Sequence, residues 1–396
     1  MQASSRKRYW LAASCMLFGA LAQAAVTTVA VLGLDDDPRY AQRQIEHHYA
    51  GHPSGRALDG ARLAVQEAEP ELQSMGQQLT VKSYQAANAA DLGRVLAQLR
   101  SAKVQYILLD LPDEPMAAAV KALQDARDPV LLFNVSSAHD ALRGAQCETN
   151  LLHTYPSQSM QFDALVQYLA ARSWSQALLL VGPKPDDQKL QSAFARSAKR
   201  YGLKVNKTQP FKLSGDPRER DLANVRLLTN DRSHDVVVVL DSDGEFARGV
   251  PFNTQLPRPV VGSSGLTPMA WHPRWELNGG PQVSRRFQRL AQRPMEAQDW
   301  AAWAAVKALV SVLSDKPKAS VLQQTQALRS GQVFLDGFKG PRLSFRPWDG
   351  QLRQPVFLGS ADGVASVAPF EGVMHPVDVL DTLGFDEKES TCRKRL

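Results

Sequence analysis

The stretch VQYILLDLPDEPMAAAVKALQDARDPVLLFNV, residues 104–135, decides the fold class. Val104 to Leu111 and Pro129 to Val135 are short apolar runs typical of buried strands, and Met116 to Ala126 between them has the pattern of an amphipathic helix. Strand and helix alternating at this spacing indicate parallel pairing, because a parallel connection needs a long crossover. The strands lack an apolar–polar alternation, so we expect helices to cover both faces of the sheet.

The same alternation continues on both sides of this stretch. Upstream, the predicted elements are strand Thr27 to Leu34, helix Asp59 to Leu72, strand Gln78 to Tyr84 and helix Ala89 to Leu99. Downstream, after a break at His139 to Asn150, they are helix Ser157 to Ala171, strand Gln176 to Gly182, helix Asp187 to Tyr201, strand Lys204 to Phe211, helix Arg220 to Leu228, and strands Asp235 to Leu240 and Arg258 to Gly262. The fold class is therefore α/β, with two successive doubly wound parallel-sheet units.

The last third of the chain follows a different pattern. Its predicted elements are helices Pro281 to Ala291, Gln298 to Leu313 and Ala319 to Leu328, then short strands Leu343 to Phe345, Pro355 to Leu358 and Val364 to Ala368. Glycines and prolines separate these strands as turns. This part is too short and too rich in strands for a third α/β unit, so we expect it to complete the first two.

The N-terminus has the pattern of a secretory signal peptide. Arg6, Lys7 and Arg8 precede an uncharged apolar stretch, Trp10 to Leu21, which ends in small residues around Ala24. The stretch is too short to span a bilayer. We therefore expect residues 1–24 to be removed after Ala24 and the mature protein to be periplasmic, without a membrane span. An uncleaved anchor, or lipidation at Cys15, is the alternative.

Composition and charge exclude two classes of protein. Hydrophobic residues make up 44% of the 396 residues and charged residues 22%, which is typical of folded domains and not of a disordered chain. The formal net charge is +6, but Arg6, Lys7 and Arg8 supply three of these charges in the leader. The remaining excess is small and dispersed, so a nucleic-acid partner is not expected.

Two cysteines remain once the leader is removed. Cys147 and Cys392 form an even pair in an exported, oxidising compartment. We expect a disulfide between them, and two unpaired thiols are the alternative.

Motifs of catalysis and of cofactor binding are missing. The sequence has no G-x-x-x-x-G-K-[ST] loop, and the first strand is followed by three aspartates, Asp35 to Asp37, which would repel a pyrophosphate. Gly262 to Gly265 (GSSG) lacks the G-x-S-x-G spacing of a nucleophile elbow and is interpreted as a loop that lines a cleft. We therefore predict that the protein is not an enzyme and needs no cofactor.

Two clusters could in principle bind a metal ion. His47, His48 and His52 lie where Gly51 and Pro53 break a helix, so loop histidines are favoured over zinc ligands. The acidic run Asp241 to Glu245 never completes a calcium loop and is interpreted as a helix cap and cleft wall. No metal site is predicted.

A soluble exported protein with two doubly wound units and no catalytic motif suggests a binding protein. Ligands of open parallel sheets bind beyond the carboxyl ends of the strands. The candidate ligand-binding residues are Asp110, Pro112, Asn134, Ser136, Ser137, Tyr155, Asp241, Ser263, Ser264 and Trp271. Capping a turn is an equally good role for Ser136 or Ser137. Trp271 is expected either at the cleft rim, stacked on a ligand, or in the core.

Three stretches of this sequence resemble a known family. They are Cys147 to Pro156 (CETNLLHTYP), Trp271 to Ala305, and Asp336 to Pro355 (DGFKGPRLSFRPWDGQLRQP). With the order of elements, they are similar to the type I periplasmic binding proteins, the leucine/isoleucine/valine-type substrate-binding components of ABC transporters. More narrowly, they resemble the subfamily associated with pyrroloquinoline-quinone-dependent alcohol dehydrogenase systems.

The resemblance implies two lobes that close on a small ligand and are joined by three crossovers. Lobe I would comprise residues 25–142 and 263–328, and lobe II residues 143–262 and 329–396. The protein would be a monomer that serves a permease and an ATPase present as separate chains. A periplasmic ligand-binding sensor for a signalling receptor is the alternative, because it would use the same closing lobes.

The family's ligand contacts match only in part. Ser136 and Ser137 match the residues that bind an amino acid's carboxylate in related proteins. Ser264 stands where those proteins carry a glutamate for the ammonium group, and their aspartate after the first crossover strand is missing from His153 to Gln158. A buried ammonium without a carboxylate partner is strongly disfavoured. We therefore expect the ligand to be a small alcohol-derived acid, an aldehyde-related metabolite or an aromatic compound, and not a free α-amino acid.

Overall fold

The structure is a computed structural model that describes residues 25–49, 52–125 and 127–393. The predicted signal peptide and Cys15 lie outside the described residues. No helix in the described ranges is long and apolar enough to cross a membrane.

The first sheet has five parallel strands in the spatial order β2-β1-β3-β4-β5. Its strands are β1 (Ala25–Leu34), β2 (Gln77–Ala86), β3 (Tyr106–Leu109), β4 (Leu131–Asn134) and β5 (Leu151–His153). Helices α1 (Gln42–His47) and α2 (Leu58–Ser74) follow β1, α3 (Leu92–Ser101) follows β2, and α4 (Asp113–Ala122) follows β3. The sequence did not reveal α1 or β5, which are six and three residues long.

Alternate residues of these strands lie in different cores. Val31 and Leu108 belong to one apolar cluster, whereas Leu32 and Leu109, one residue further, belong to another on the opposite face. Successive side chains of a strand point to opposite faces, so continuous apolar strands need cover on both. The prediction of a sheet covered on both faces is confirmed.

The second sheet has four parallel strands in the order β7-β6-β8-β9. Its strands are β6 (Gln176–Val181), β7 (Lys204–Pro210), β8 (Val236–Leu240) and β9 (Val260–Gly262). Its helices are α5 (Gln158–Ala171), α6 (Pro185–Tyr201) and α7 (Val225–Leu228).

The helix expected over residues 220–228 is wrong in part. A 3₁₀ turn, Pro217–Ala223, precedes the four-residue α7. Asn224 between them has extended backbone, and its side chain accepts a hydrogen bond from the Leu227 amide as the cap of α7. An asparagine that caps a helix competes with helix continuation, which explains the break.

The last third of the chain returns to both units. Three helices, α8 (Gly280–Ala291), α9 (Ala297–Asp315) and α10 (Val321–Arg329), pack into the core of the first sheet. Strand β10 (Thr267–Met269) precedes these helices, and strands β11 (Leu335–Asp336), β12 (Arg342–Leu343), β13 (Val356–Ser360) and β14 (Gly363–Ala368) follow them. Strands β10, β13 and β14 form an antiparallel sheet. Phe357 packs into the core that the first sheet shares with these three helices, while Val356 and Leu358 pack into the core of the second sheet.

The chain therefore passes between two lobes three times. It leaves the first sheet after β5, returns after β9, and leaves again after α10. The crossovers lie side by side: the Leu352 amide donates to the His153 carbonyl at 2.8 Å, and Gln354 Nε2 donates to the Thr154 carbonyl at 2.8 Å. The expected fold class is confirmed, whereas the residue limits of the lobes stay a prediction. Strand β5 pairs with β4 although it lies beyond residue 142.

The C-terminal tail is linked covalently to the loop between β4 and β5. Cys147, between β4 and β5, forms a disulfide with Cys392, and their Cα atoms are 5.6 Å apart. Before that cysteine, the tail packs on α6, where the Gly384 carbonyl accepts hydrogen bonds from Arg196 Nη2 at 2.9 Å and Arg200 Nη1 at 2.7 Å. The expected disulfide is confirmed, and it fastens the tail that packs on α6 to the loop between the first-sheet strands β4 and β5.

Candidate functional site

The strand order defines where a ligand would bind. In the first sheet the winding direction reverses between β1 and β3, and in the second between β6 and β8. A crevice opens at such a switch point, outside the carboxyl ends of the strands. The residues that follow these four strands therefore form the two walls of the candidate site.

The wall on lobe I is a hydrogen-bonded cluster of opposite charges. Arg39 Nη2 donates to Asp37 Oδ2 at 2.6 Å and to Asp110 Oδ1 at 3.2 Å, and the Tyr40 hydroxyl donates to Asp110 Oδ2 at 2.7 Å. Burial and the charge of Asp110 raise the pKa of Tyr40 well above its usual range, so the phenol keeps its proton. Asp110 is only 2% exposed. Its carboxylate thus holds Arg39 and Tyr40 in place.

The predicted residues after β4 are brought together in one turn. Asn134 is fully buried, and its Oδ1 accepts from the amides of Ser136 at 3.2 Å and Ser137 at 2.9 Å. The Ser137 hydroxyl donates to Asp113 Oδ1 at 2.6 Å, and the Ser136 hydroxyl lies 3.4 Å from the Leu111 carbonyl. The side chains of these three predicted site residues thus serve the turn itself.

Pro112 and Tyr155 flank this turn. Pro112 is half-buried and directly precedes α4. Tyr155 is half-buried in the first crossover, and its carbonyl accepts a hydrogen bond from Arg143 Nη2 at 2.8 Å. Burial raises the pKa of Tyr155 to about 12, although the nearby positive charges of Arg39 and Arg143 lower it in part. Tyr155 therefore lies close to the lobe I wall as a neutral phenol.

The wall on lobe II carries an acidic group with an unusual pKa. Asp241 is 5% exposed, and its Oδ2 accepts from the Ala247 amide at 2.9 Å. Burial, together with the neighbouring Asp243, raises the pKa of Asp241 to about 7. Asp243 in turn forms an ion pair with Lys184. The lobe II wall thus presents a carboxyl group that is partly protonated at neutral pH.

The predicted serines after β9 support this wall. Ser263 Oγ accepts a hydrogen bond from the Asp241 amide at 2.9 Å, and Ser264 is buried beside it in the chain. Ser263 therefore fixes the backbone from which the Asp241 side chain projects.

The structure places Trp271 in the core of lobe I and not at the cleft rim. It is 1% exposed, its ring stacks on that of Trp300 with a centroid distance of 6.3 Å, and Phe357 lies 6.0 Å away. Of the two positions that the sequence left open for Trp271, the structure shows the core, under α9 and β13. Trp300 and Trp303 are also fully buried in this core.

A loop between β1 and α2 joins the two walls, and sequence reasoning did not assign it this role. Arg43 forms an ion pair with Glu245, and Arg248 Nη1 lies 3.2 Å from His47 Nδ1. Tyr49 is 6% exposed because lobe II covers it. The backbone comes so close that a Cβ at Gly244 would lie 3.0 Å from the Cβ of Tyr49.

His52, at the end of this loop, lies between charges of both walls. Burial lowers the pKa of His52. The charges of Arg39 from lobe I and of Lys184 from lobe II lower it further, whereas the charge of Asp243 from lobe II raises it. His47 and His52, two of the three histidines that the sequence offered as metal candidates, thus lie at contacts between the lobes. The only sequence signal for this role was their density after the first strand.

Comparison with known proteins identifies the fold family. A family model described as "Periplasmic binding protein" matches residues 49–248. The amino acid ABC transporter substrate-binding protein from Pseudomonas fluorescens Pf-5 has a similar structure, with a TM-score of 0.70 and 13% identity over 93% of this chain and 100% of that chain. No curated protein matches.

Two further solved structures carry aromatic acids. A solute-binding protein of an ABC transporter from R. palustris, in complex with benzoate, has a TM-score of 0.66 and 14% identity over 93% of this chain and all of that chain (100%). One from Rhodopseudomonas palustris BisB5, in complex with 3,4-dihydroxybenzoic acid, has a TM-score of 0.63 and 11% identity over 86% of this chain and 94% of that chain. At these identities the similarity shows the shared fold, and the family match adds the assignment. The chain belongs to the periplasmic binding protein family.

Proposed function

We propose that this protein captures a small solute between its two lobes for an ABC transporter linked to pyrroloquinoline-quinone-dependent alcohol oxidation. The observation that carries the proposal is the pair of polar walls at the two switch points, bridged by the loop that contains Tyr49 and His52. A ligand that contacts both walls stabilises the closed arrangement, as expected for hinge closure. The link to alcohol oxidation rests on the three stretches that resemble that subfamily.

The ligand we propose is not a free α-amino acid. An ammonium group needs a carboxylate partner when it is buried. Asp110 is already bonded to Arg39 and Tyr40, and Asp241 already accepts a hydrogen bond from the Ala247 amide beside Asp243. Ser264 brings a hydroxyl where amino-acid-binding relatives carry a glutamate. A small alcohol-derived acid, an aldehyde-related metabolite or an aromatic compound fits this site better, and two structural neighbours hold aromatic acids.

Calorimetric titration with leucine, isoleucine and valine tests the proposed ligand class. The protein is first unfolded in denaturant, dialysed and refolded so that no ligand from the cell remains bound. We expect no binding at micromolar concentrations, because the two buried wall carboxylates, Asp110 and Asp241, already have partners in their own lobes. Micromolar binding of any of the three amino acids would overturn the exclusion of amino acids while leaving the two-lobe binding function intact.

A further inference from the structure

Arg56 is a cation of the lobe I wall, placed between the first helix of the bridging loop and α2. Its guanidinium carbon lies 4.1 Å from the centroid of the Tyr40 ring, and the Arg39 guanidinium carbon lies 5.5 Å from the same centroid. Tyr40 is itself bonded to Asp110 at the end of β3. Two guanidinium groups therefore lie around one tyrosine at the carboxyl ends of β1 and β3.

The charge of Arg56 is not neutralised within the site. Three other cations of the two walls have carboxylate partners: Arg39 pairs with Asp37 and Asp110, Arg43 with Glu245, and Lys184 with Asp243. Among residues 25–49, 52–125 and 127–393, no carboxylate lies within ion-pair distance of Arg56. Its Nη2 reaches only the Asp35 carbonyl, at 3.5 Å.

One donor group of Arg56 is also buried without an acceptor. Nη1 is shielded from solvent, and no group in the described part of the chain accepts its hydrogen bonds. Buried donors of folded proteins nearly always have a partner, and a charged donor left unpaired is costly. A group that the protein itself does not contribute would satisfy this atom.

A carboxylate is the ligand group that meets both requirements. It supplies the missing negative charge, and its two oxygens match the fork of a guanidinium group, which makes such pairs short and strong. A neutral hydroxyl or carbonyl would satisfy the hydrogen bond but leave the charge unbalanced. We propose that the ligand is an organic acid bound as its anion, and that Arg56 binds the carboxylate while Asp37 and Asp110 hold Arg39 beside it. This inference rests on the proposed solute-binding function and names the chemical class of its ligand.

Matched acids and amides test the proposal on the refolded, ligand-free full chain. The probes are acetate and acetamide, butyrate and butyramide, and benzoate and benzamide, with binding measured by thermal shift and calorimetry. We expect at least one acid to bind, with an affinity about 10-fold or more above that of its amide, because the amide lacks the charge. A panel in which no acid binds, or in which an amide binds as tightly as its acid, would overturn the proposal.

Variants of Arg56 separate ligand binding from a structural role under Tyr40. Arg56→Gln should weaken binding of the acid by about 30-fold or more and leave the affinity for the amide unchanged. Arg56→Lys keeps the positive charge but lacks the forked guanidinium group. Its affinity for the acid should lie between those of the wild type and of Arg56→Gln. Arg62→Gln is the matched control, since Arg62 is an exposed arginine of α2 that pairs with Asp59. Equal losses for acid and amide in Arg56→Gln would show that Arg56 only supports the fold.

The binding experiments distinguish a failure of this inference from a failure of the proposed function. Binding of a neutral compound without its acid would leave the solute-binding function standing and remove only the anionic ligand. If leucine bound at micromolar concentration and Arg56→Gln abolished that binding, the carboxylate site at Arg56 would be supported. The exclusion of amino acids in the proposed function would then be wrong.

Discussion

Replacing Cys147 or Cys392 by serine should lower the melting temperature by about 5 to 10 °C. The disulfide closes a loop with a sequence separation of 245 residues. Cross-linking so long a loop restricts the unfolded chain strongly, and chain-entropy reasoning gives about 4 to 5 kcal/mol of stabilisation. Differential scanning calorimetry of the mature protein measures the shift.

A reductant provides the control for this prediction. It should lower the melting temperature of the wild type to that of the double serine variant and leave the variant unchanged. The last residues, beyond Gly384, should then detach first, since exposed Glu389 holds them to Arg196 and Arg200 of α6 only through ion pairs. Identical melting temperatures of oxidised wild type and double variant would contradict this account of the tail.

Replacing Asp381 by asparagine should destabilise the protein by about 3 to 5 kcal/mol. The carboxylate accepts a hydrogen bond from Arg346 Nε at 2.7 Å and another from Arg353 Nε at 2.9 Å. The Arg346 side chain is 1% exposed, and its next carboxylate, Asp349, is 3.9 Å away. Removing the charge of Asp381 therefore leaves a buried guanidinium without its main counter-ion. Urea denaturation followed by tryptophan fluorescence measures the change in the free energy of unfolding.

Asp378 offers a matched control in the same segment. Its side chain is 39% exposed and lies 3.3 Å from Arg353. Asp378→Asn keeps an oxygen for the Leu380 amide and loses only an exposed ion pair, so a loss below about 1 kcal/mol is expected. If both variants lost the same small free energy, the Arg346–Asp381 pair would not anchor the tail to the third crossover.

The strands and long helices were predictable because their signals are local. Residues 176–182 predict β6 from an apolar run alone, and Asp59 to Leu72 predict α2 from the helical spacing of Ala61, Val65 and Ala68. Strand β5 has three residues and α1 has six, too few for either period to be visible. These short elements form only because the crossovers and lobe II pack against them.

The candidate site was predictable as a place but not as a set of side chains. The strand-end rule singled out Asp110 and Asp241, which directly follow β3 and β8 in the structure. It could not show that Asp110 is occupied by Tyr40, which lies 70 residues earlier in the chain. Arg56 belongs to no sequence motif. That it lacks a carboxylate partner can be recognised only from a structure, in which the ion pairs of the neighbouring cations are known. Trp271 was ambiguous for the same reason, since its burial depends on Trp300 and Phe357.

Native mass spectrometry of the protein purified from its own periplasm tests the central claim most directly. The account predicts one small molecule bound per chain, released on denaturation, with the mass of an organic acid and not of a free amino acid. A bound amino acid would contradict the proposed ligand class. Protein from cells grown on alcohols that carries no small molecule would contradict the solute-binding function itself.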